Sequence, residues 1–404
     1  MTDKLLDELL ETGGDYEDAR KPRMKHPTGW EPGIDTEKGR ICVRSRERPT
    51  ESAIDWSTWL EHFGFSGEVF TVLDDAVEVR SWDANMGNGL VETFYYYKAK
   101  IVKKALTVDA DIQELAKEIK SHRKLKSIPP DGEWAYVIAL TDLQIGKRDG
   151  DGLAGVVERA LQAHDDIIDD VARARKAGYN IGKIVVAGMG DIIEGCDGHY
   201  EMQTFSVELD RREQVKVARR ILVKLIKGWS ALAPEMLVMC VPGNHGEHRK
   251  DGRSFTTFGD NDDVAVFEMV AERLAENPDR YGHVKFMIPQ NAMSLTVDLG
   301  GTVLGVIHGH QARGSNANGL AHTKIWGWWK NQAHANTPVG DADILLSGHF
   351  HYYSAVENGP RTHFQAPPLD SSSEWYENTL GYGTNSGVLT FLVGPEGWKR
   401  QTIL

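Results

Sequence analysis

Five short segments of the chain each end an apolar run in side chains that bind metals. "VIALTDLQIG" delivers Asp142 and Gln144, "VVAGMGDIIEG" delivers Asp191 and Glu194, and "VMCVPGNHGEH" delivers Asn244 and His245. "GVIHGH" adds His308 and His310, and "DILLSGHFHYY" adds His349 and His351. A single Asp or His after a strand is ordinarily a turn residue or a cap; five such strand ends in one chain point to a metal centre. Gly188, Gly190, Gly243, Gly309 and Gly348 stand beside them and permit the tight turns that let backbone ends converge. The mixture suits two divalent ions about 3.5–4 Å apart, which need a carboxylate between them, terminal His, Asp or Asn ligands, and open water positions. Asp191 is read as the bridging carboxylate. A water held between two such ions is acidified and lies ready for in-line attack on phosphorus.

The elements that must position these groups are short apolar strands alternating with long amphipathic helices. "AYVIAL", a helix from Val156 to Ala177, "KIVVAG", a helix from about Val207 to Ala231, and "MLVMCV" follow in that order, which implies α/β layers. Later segments, "VKFMI", "MSLTVDL", "TVLGVIHG", "DILLSGHFH", "SAVEN", "THFQAP" and "GVLTFLV", are mostly strands. The expected architecture is α/β, a two-sheet β-sandwich flanked by helices, preceded by a small mixed α+β domain. Residues 1–28 are expected as a flexible lead and 29–104 as the accessory domain, with a helix over "IDWSTWLEHFGF" and strands over "VFTVLDDAVEVRSWDA" and "VETFYYYKAKIVKK". Residues 105–132 are expected as a helical linker closed by the prolines of "SIPPDGEW", and 133–404 as the catalytic domain.

The ordered set "TDLQIG", "GDIIEG", "GNHGE", "VIHGH" and "GHFH" resembles the calcineurin-like metallophosphoesterases, whose pattern is DxH, GDxx(D/E), GNH(D/E), a histidine after a strand, and GHxH. The resemblance spans roughly residues 134–394. It implies that Asp142, His351 and Gln144 hold one metal, that Asn244, His308 and His349 hold the second, and that Asp191 bridges. It implies that His245 sits beside the scissile phosphate as leaving-group acid or transition-state donor, with His310 as a supporting histidine. Two positions depart from the pattern: Gln144 stands where the family has histidine, and Gly246 separates His245 from Glu247. A neutral amide oxygen makes the first site harder, so the expected cofactors are two divalent ions, manganese first, with magnesium, iron(II) or zinc as alternatives.

Within that family "TDLQIGK" looks most like the SbcD-type DNA repair exonucleases, and the added domain resembles phage-encoded proteins. The implied function is a DNA phosphodiesterase, with DNA as substrate and replication or repair proteins as partners. The alternatives are a hydrolase of small phosphoesters, nucleotides or phosphoproteins, and a non-catalytic binding module in a replication or repair assembly. His199, Tyr200, His248 and His310 are the candidate substrate contacts. Trp326, Trp328, Trp329, Trp375 and Tyr376 offer either a stacking surface or aromatic core. The segment "RREQVKVARRILVKLIKGW" sets Val215, Ala218, Leu222, Leu225 and Trp229 on one helical stripe and seven Lys and Arg residues mostly outside it, as a solvated face or a backbone-tracking patch.

Bulk properties bound these readings. At 404 residues two domains are expected, and a 41% hydrophobic share is that of a globular chain. Three cysteines, Cys42, Cys196 and Cys240, make neither an even disulfide set nor a zinc-type pair, so a reducing, cytoplasmic setting is expected, that of the host for a phage product. No apolar run approaches the roughly 20 residues that span a bilayer, and no membrane partner is expected. The net charge of −13 argues against a general polyanion-binding surface without excluding a local one.

Overall fold

The computed structural model describes residues 26–35, 39–46, 55–67, 70–73, 77–87, 90–103, 132–199, 203–250, 252–312, 321–371 and 385–404. Contacts divide the chain into two compact units, Met1–Thr107 and Val108–Leu404. Most of the expected lead and of the expected linker, together with Tyr200, Trp375 and Tyr376, lies outside the described residues.

Among the described residues the first unit is a five-stranded sheet with one short helix. Its elements are β1 (Gly33–Asp35), β2 (Arg40–Ser45), α1 (Trp56–His62), β3 (Phe70–Val72), β4 (Glu78–Gly87) and β5 (Leu90–Lys103). The long β5 pairs antiparallel with β2, β3 and β4. Asp55 caps α1 by accepting from the Ser57 and Thr58 amides, and Trp56, Trp59 and Leu60 are its buried face.

The second unit runs β6 (Trp134–Leu140), α2 (Gly152–Lys176), β7 (Ile181–Gly188), α3 (Arg211–Trp229), β8 (Glu235–Cys240), a small hairpin β9 (Arg249–Lys250) and β10 (Arg253–Ser254), and α4 (Asp262–Ala275). It continues through α5 (Pro278–Tyr281), β11 (Val284–Met287), β12 (Ser294–Asp298), β13 (Val303–Ile307), α6 (Ala321–His334), β14 (Ile344–Ser347), β15 (Ser354–Asn358), β16 (Arg361–Gln365), β17 (Leu389–Gly394) and β18 (Gly397–Ile403). One sheet has six strands in the order β11-β8-β7-β6-β17-β18, the other five in the order β12-β13-β14-β16-β15. The pairings β11·β8, β8·β7 and β7·β6 are parallel, as are β13·β14 and β14·β16.

Side-chain alternation explains the layers. Along β6, Trp134, Tyr136, Ile138 and Leu140 pack with α2, α3 and α4, while Ala135, Val137 and Ala139 join a core shared with β13, β14 and β16. On the second sheet Leu304, Val306, Ile344 and Leu346 face that shared core, and Ile307 and Leu345 face Ile325 and Trp329 of α6. The sequence of layers is therefore helices, sheet, sheet, helix, the two-sheet sandwich that the strand pattern implied. Helix α3 buries Ala218, Leu222, Leu225 and Trp229 on the expected stripe, but it starts at Arg211, later than expected, because the Asp210 carboxylate caps it on the Glu213 amide.

No helix among the described residues is long and apolar enough to cross a membrane. The three cysteines form no disulfide. Trp329 is fully buried and donates to the Val339 carbonyl at 2.7 Å, so it is core and not a stacking surface.

Candidate metal centre

Every metal-type residue singled out in the sequence lies just beyond a strand of the sandwich: Asp142 and Gln144 after β6, Asp191 after β7, Asn244 and His245 after β8, His308 after β13, and His349 and His351 after β14. The backbone there is contorted to aim them. Seven described residues other than glycine have positive φ, and five are Asp142, Gln144, Asp191, His349 and His351. Such conformations cost about 1–3 kcal/mol each and persist where the surroundings over-determine them, as at ligand clamps. Two glycines are required by close approach. A Cβ on Gly243 would lie 2.1 Å from the Asp191 amide nitrogen, and one on Gly348 would lie 2.1 Å from Thr141 Oγ1 and 2.6 Å from Asp142 Oδ2.

The side chains converge. Asp191 Oδ2 lies 3.0 Å from His308 Nε2, which is 3.1 Å from Asn244 Oδ1. Asp191, His308 and His349 each offer a ligand atom, all within 4.8 Å of one another. Asp142 is fully buried; its Oδ2 accepts from Thr141 Oγ1 at 2.6 Å and the His349 amide at 2.9 Å. Its Oδ1 is buried with no hydrogen bond, and His351 Nε2 is 3.4 Å away.

This donor set fits divalent cations. Two ligands about 2.0–2.2 Å from one ion stand roughly 3.0–3.6 Å apart, which is the spacing of His308 Nε2 from Asp191 Oδ2 and from Asn244 Oδ1. The field is also that of a cation site. Burial opposes charge on His308, yet the Asp191 and Asp142 carboxylates outweigh it and push its pKa up to about 9. Neighbouring His349 is driven down to about 3 by burial and by His308, leaving a neutral imidazole suited to coordination.

His245 is fixed by Glu194. Its Nδ1 lies 2.9 Å from the Glu194 carbonyl oxygen and 3.3 Å from Oε2, and its backbone amide donates to Asp191 Oδ1 at 2.8 Å. Burial works against the charged ring, but Glu194 and Asp191 raise its pKa to about 10. Glu247, which Gly246 separates from His245, pairs with Arg249 at 2.9 Å and lies 3.5 Å from His310 Nε2. His199 stacks flat on His245 at 4.3 Å, with its Nε2 buried and without a hydrogen bond. His248 is engaged by Arg211 at 2.7 Å and lies 3.4 Å from Asp260. His310 is 5.2 Å from the His308 ring.

Two residues that position the site were not singled out in the sequence. Asp263, in the first turn of α4, is fully buried and accepts from four backbone amides: Ile192 and Ile193 on Oδ1 at 2.9 and 3.3 Å, Asp191 and Gly243 on Oδ2 at 2.8 and 3.1 Å. It ties the loop carrying Asp191 to the loop carrying Asn244. Burial and the nearby Asp191 raise its pKa to about 7. The only sequence signal was "NDDVAVF", an acidic cluster opening an apolar helical run, which reads as a cap; Asn261 is indeed that cap. Gln214 of α3 grips the other end of the loop, its Oε1 accepting from Gly195 N and its Nε2 donating to Gly195 O, each at 2.9 Å.

No protein-family profile matches the chain, and no curated protein does. Solved structures do match. A single mutant of Vps29 from Entamoeba histolytica is 12% identical over 67% of this chain and 99% of its own, with a TM-score of 0.28. A predicted phosphoesterase from Streptococcus pneumoniae is 14% identical over 67% and 98%, with a TM-score of 0.25. A novel archaeal phosphodiesterase is 10% identical over 67% and 99%, with a TM-score of 0.30.

Proposed function

We propose that the second unit is a metal-dependent phosphoester hydrolase and that its substrate is DNA. The observation that carries the first part is the convergence of Asp142, Asp191, Asn244, His308, His349 and His351 from the ends of five strands in two sheets. Asp191, Asn244, His308 and His349 would hold one divalent ion, and Asp142 and His351 a second, with Asp191 between them. Bound there, such ions supply an acidified water and neutralise phosphoryl oxygens. His245 contributes from the protein side. Glu194 holds its Nδ1, so Nε2 is the atom presented to a phosphoryl oxygen or to the leaving group. Asp263 and Gln214 keep the loops from relaxing when no ion offsets the repulsion among the carboxylates.

Support for a polymeric nucleic acid comes from the segment that follows His245. Hairpin β9–β10 carries the exposed Lys250 and Arg253, and after it Phe255 and Phe258 are 65% and 50% exposed. Cationic side chains with exposed aromatic rings suit a strand's phosphates and bases. On α3, Arg211, Arg212 and Arg219 are exposed, although Arg211 is paired with Asp262. The test is hydrolysis by chelator-stripped protein, with and without manganese, of bis-p-nitrophenyl phosphate, p-nitrophenyl phosphate and labelled DNA. Manganese-dependent turnover of the diester and of DNA is expected. Turnover of the monoester alone would replace DNA with a small phosphoester, the substrate that a net charge of −13 favours; no turnover at all would make the unit a binding module.

A further inference from the structure

Gln144 occupies a corner of the site and turns its oxygen toward Lys147. Gln144 Oε1 accepts from Lys147 Nζ at 3.2 Å, while Nε2 faces His245 Nε2 at 3.5 Å. An ammonium group is a donor only, and an amide has one acceptor, so the orientation is determined by chemistry. Turning the amide over would set donor against donor beside Lys147. Lys147 in turn is held by Asp370: the two side chains form an ion pair and are 14% and 2% exposed. The Asp370 amide donates to the Asp142 carbonyl oxygen at 2.9 Å, which ties the pair to the end of β6. Gln144 itself is 5% exposed.

We propose that Gln144 is a phosphoryl-oxygen donor and not a metal ligand, fixed in that role by the buried Lys147–Asp370 pair. This rests on the phosphoesterase reading and deepens it. A metal ligand needs the amide oxygen, and that atom already accepts from the Lys147 ammonium, whose positive charge beside it disfavours a cation on the same oxygen. The two amide N–H bonds open instead toward the edge from which His245 reaches the substrate, and donors 3.5 Å apart can both reach one oxygen at about 2.9 Å. The half-site at Asp142 and His351 then has fewer protein ligands than the one built on Asp191, Asn244, His308 and His349, and it binds its ion more weakly.

The test separates metal from phosphate. Manganese uptake is measured by elemental analysis and titration calorimetry, and affinity of the manganese-loaded full chain for inorganic phosphate by calorimetry. Gln144→Leu is expected to keep the wild-type manganese stoichiometry and to weaken phosphate binding about tenfold, the scale of one hydrogen bond to a charged group. Lys147→Met, which unlocks the amide, is expected to weaken phosphate binding in the same direction, and Lys147→Arg, which restores an obligate donor, to recover it. Loss of a manganese equivalent in Gln144→Leu would overturn the assignment, and so would unchanged phosphate affinity. A wild-type chain that takes up no manganese would instead remove the phosphoesterase reading itself.

Discussion

Replacing Asp263 with asparagine changes one atom and tests whether the metal loops are held as described. Each carboxylate oxygen of Asp263 accepts from two backbone amides. In Asp263→Asn one oxygen becomes an NH2 group, so two buried N–H groups lose their acceptor and face a donor. An unsatisfied buried donor costs about 1–3 kcal/mol, which for two gives about 2–6 kcal/mol. Removing a charge near Asp191 works in the opposite direction, because two buried carboxylates repel, so a loss near the low end, about 2 kcal/mol, is expected. The assay is urea unfolding at pH 8, above the value of about 7 at which Asp263 titrates, with Asp262→Asn as control. Asp262 pairs with a half-exposed Arg211, so its loss should cost no more than about 1 kcal/mol. Manganese affinity should fall about 10- to 100-fold in Asp263→Asn, the range for a partner that orients ligands. A stability loss below about 0.5 kcal/mol with unchanged metal affinity would refute the proposed tie between the loops.

Asp191→Asn should retain the fold, seen by circular dichroism, yet lose more than about a hundredfold in manganese affinity, beyond the loss set for outer partners; full metal uptake would exclude Asp191 as a ligand. Asp170→Asn should destabilise the second unit by about 3 kcal/mol in chemical denaturation, because Asp170 is buried against Arg400 and accepts from Tyr136 at 2.9 Å. Although burial raises the Asp170 pKa, hydrogen bonds from Arg400 and Tyr136 lower it overall, so its contribution is present above the ordinary carboxyl value near about 4 and is lost as pH falls through the depressed one. The wild-type minus Asp170→Asn difference should therefore shrink on acidification, and a difference that grows would contradict the assignment. Phe255→Ala with Phe258→Ala should raise KM for single-stranded DNA about tenfold more than KM for bis-p-nitrophenyl phosphate, since stacking is worth about 1–3 kcal/mol per base; equal changes on both substrates would remove the stacking role.

The strand-end residues were legible because short continuous apolar runs mark buried strands and a sandwich gathers their ends; Asp191, His308 and His349 converge for that reason. Helix α2 was legible from its apolar stripe, though it begins at Gly152, four residues before the expected start. What escaped the sequence were relations between distant segments. Asp263 lies 72 positions from the Asp191 amide it accepts from, and nothing local separates it from the neighbouring Asp262, which forms a surface ion pair. Lys147 and Asp370 stand 223 positions apart, so the orientation of Gln144 could not be read from "TDLQIGK". Trp329 resolved as core only once α6 was seen packed on the second sheet, where the indole meets Ile325 and Leu345.

The most direct test of the central claim is anomalous scattering from crystals grown with manganese. A peak is expected within about 2.0–2.3 Å of an Asp191 carboxylate oxygen, His308 Nε2 and a His349 ring nitrogen, with a weaker peak beside Asp142 and His351. Manganese bound elsewhere, with these side chains still hydrogen-bonded only to one another, would contradict it.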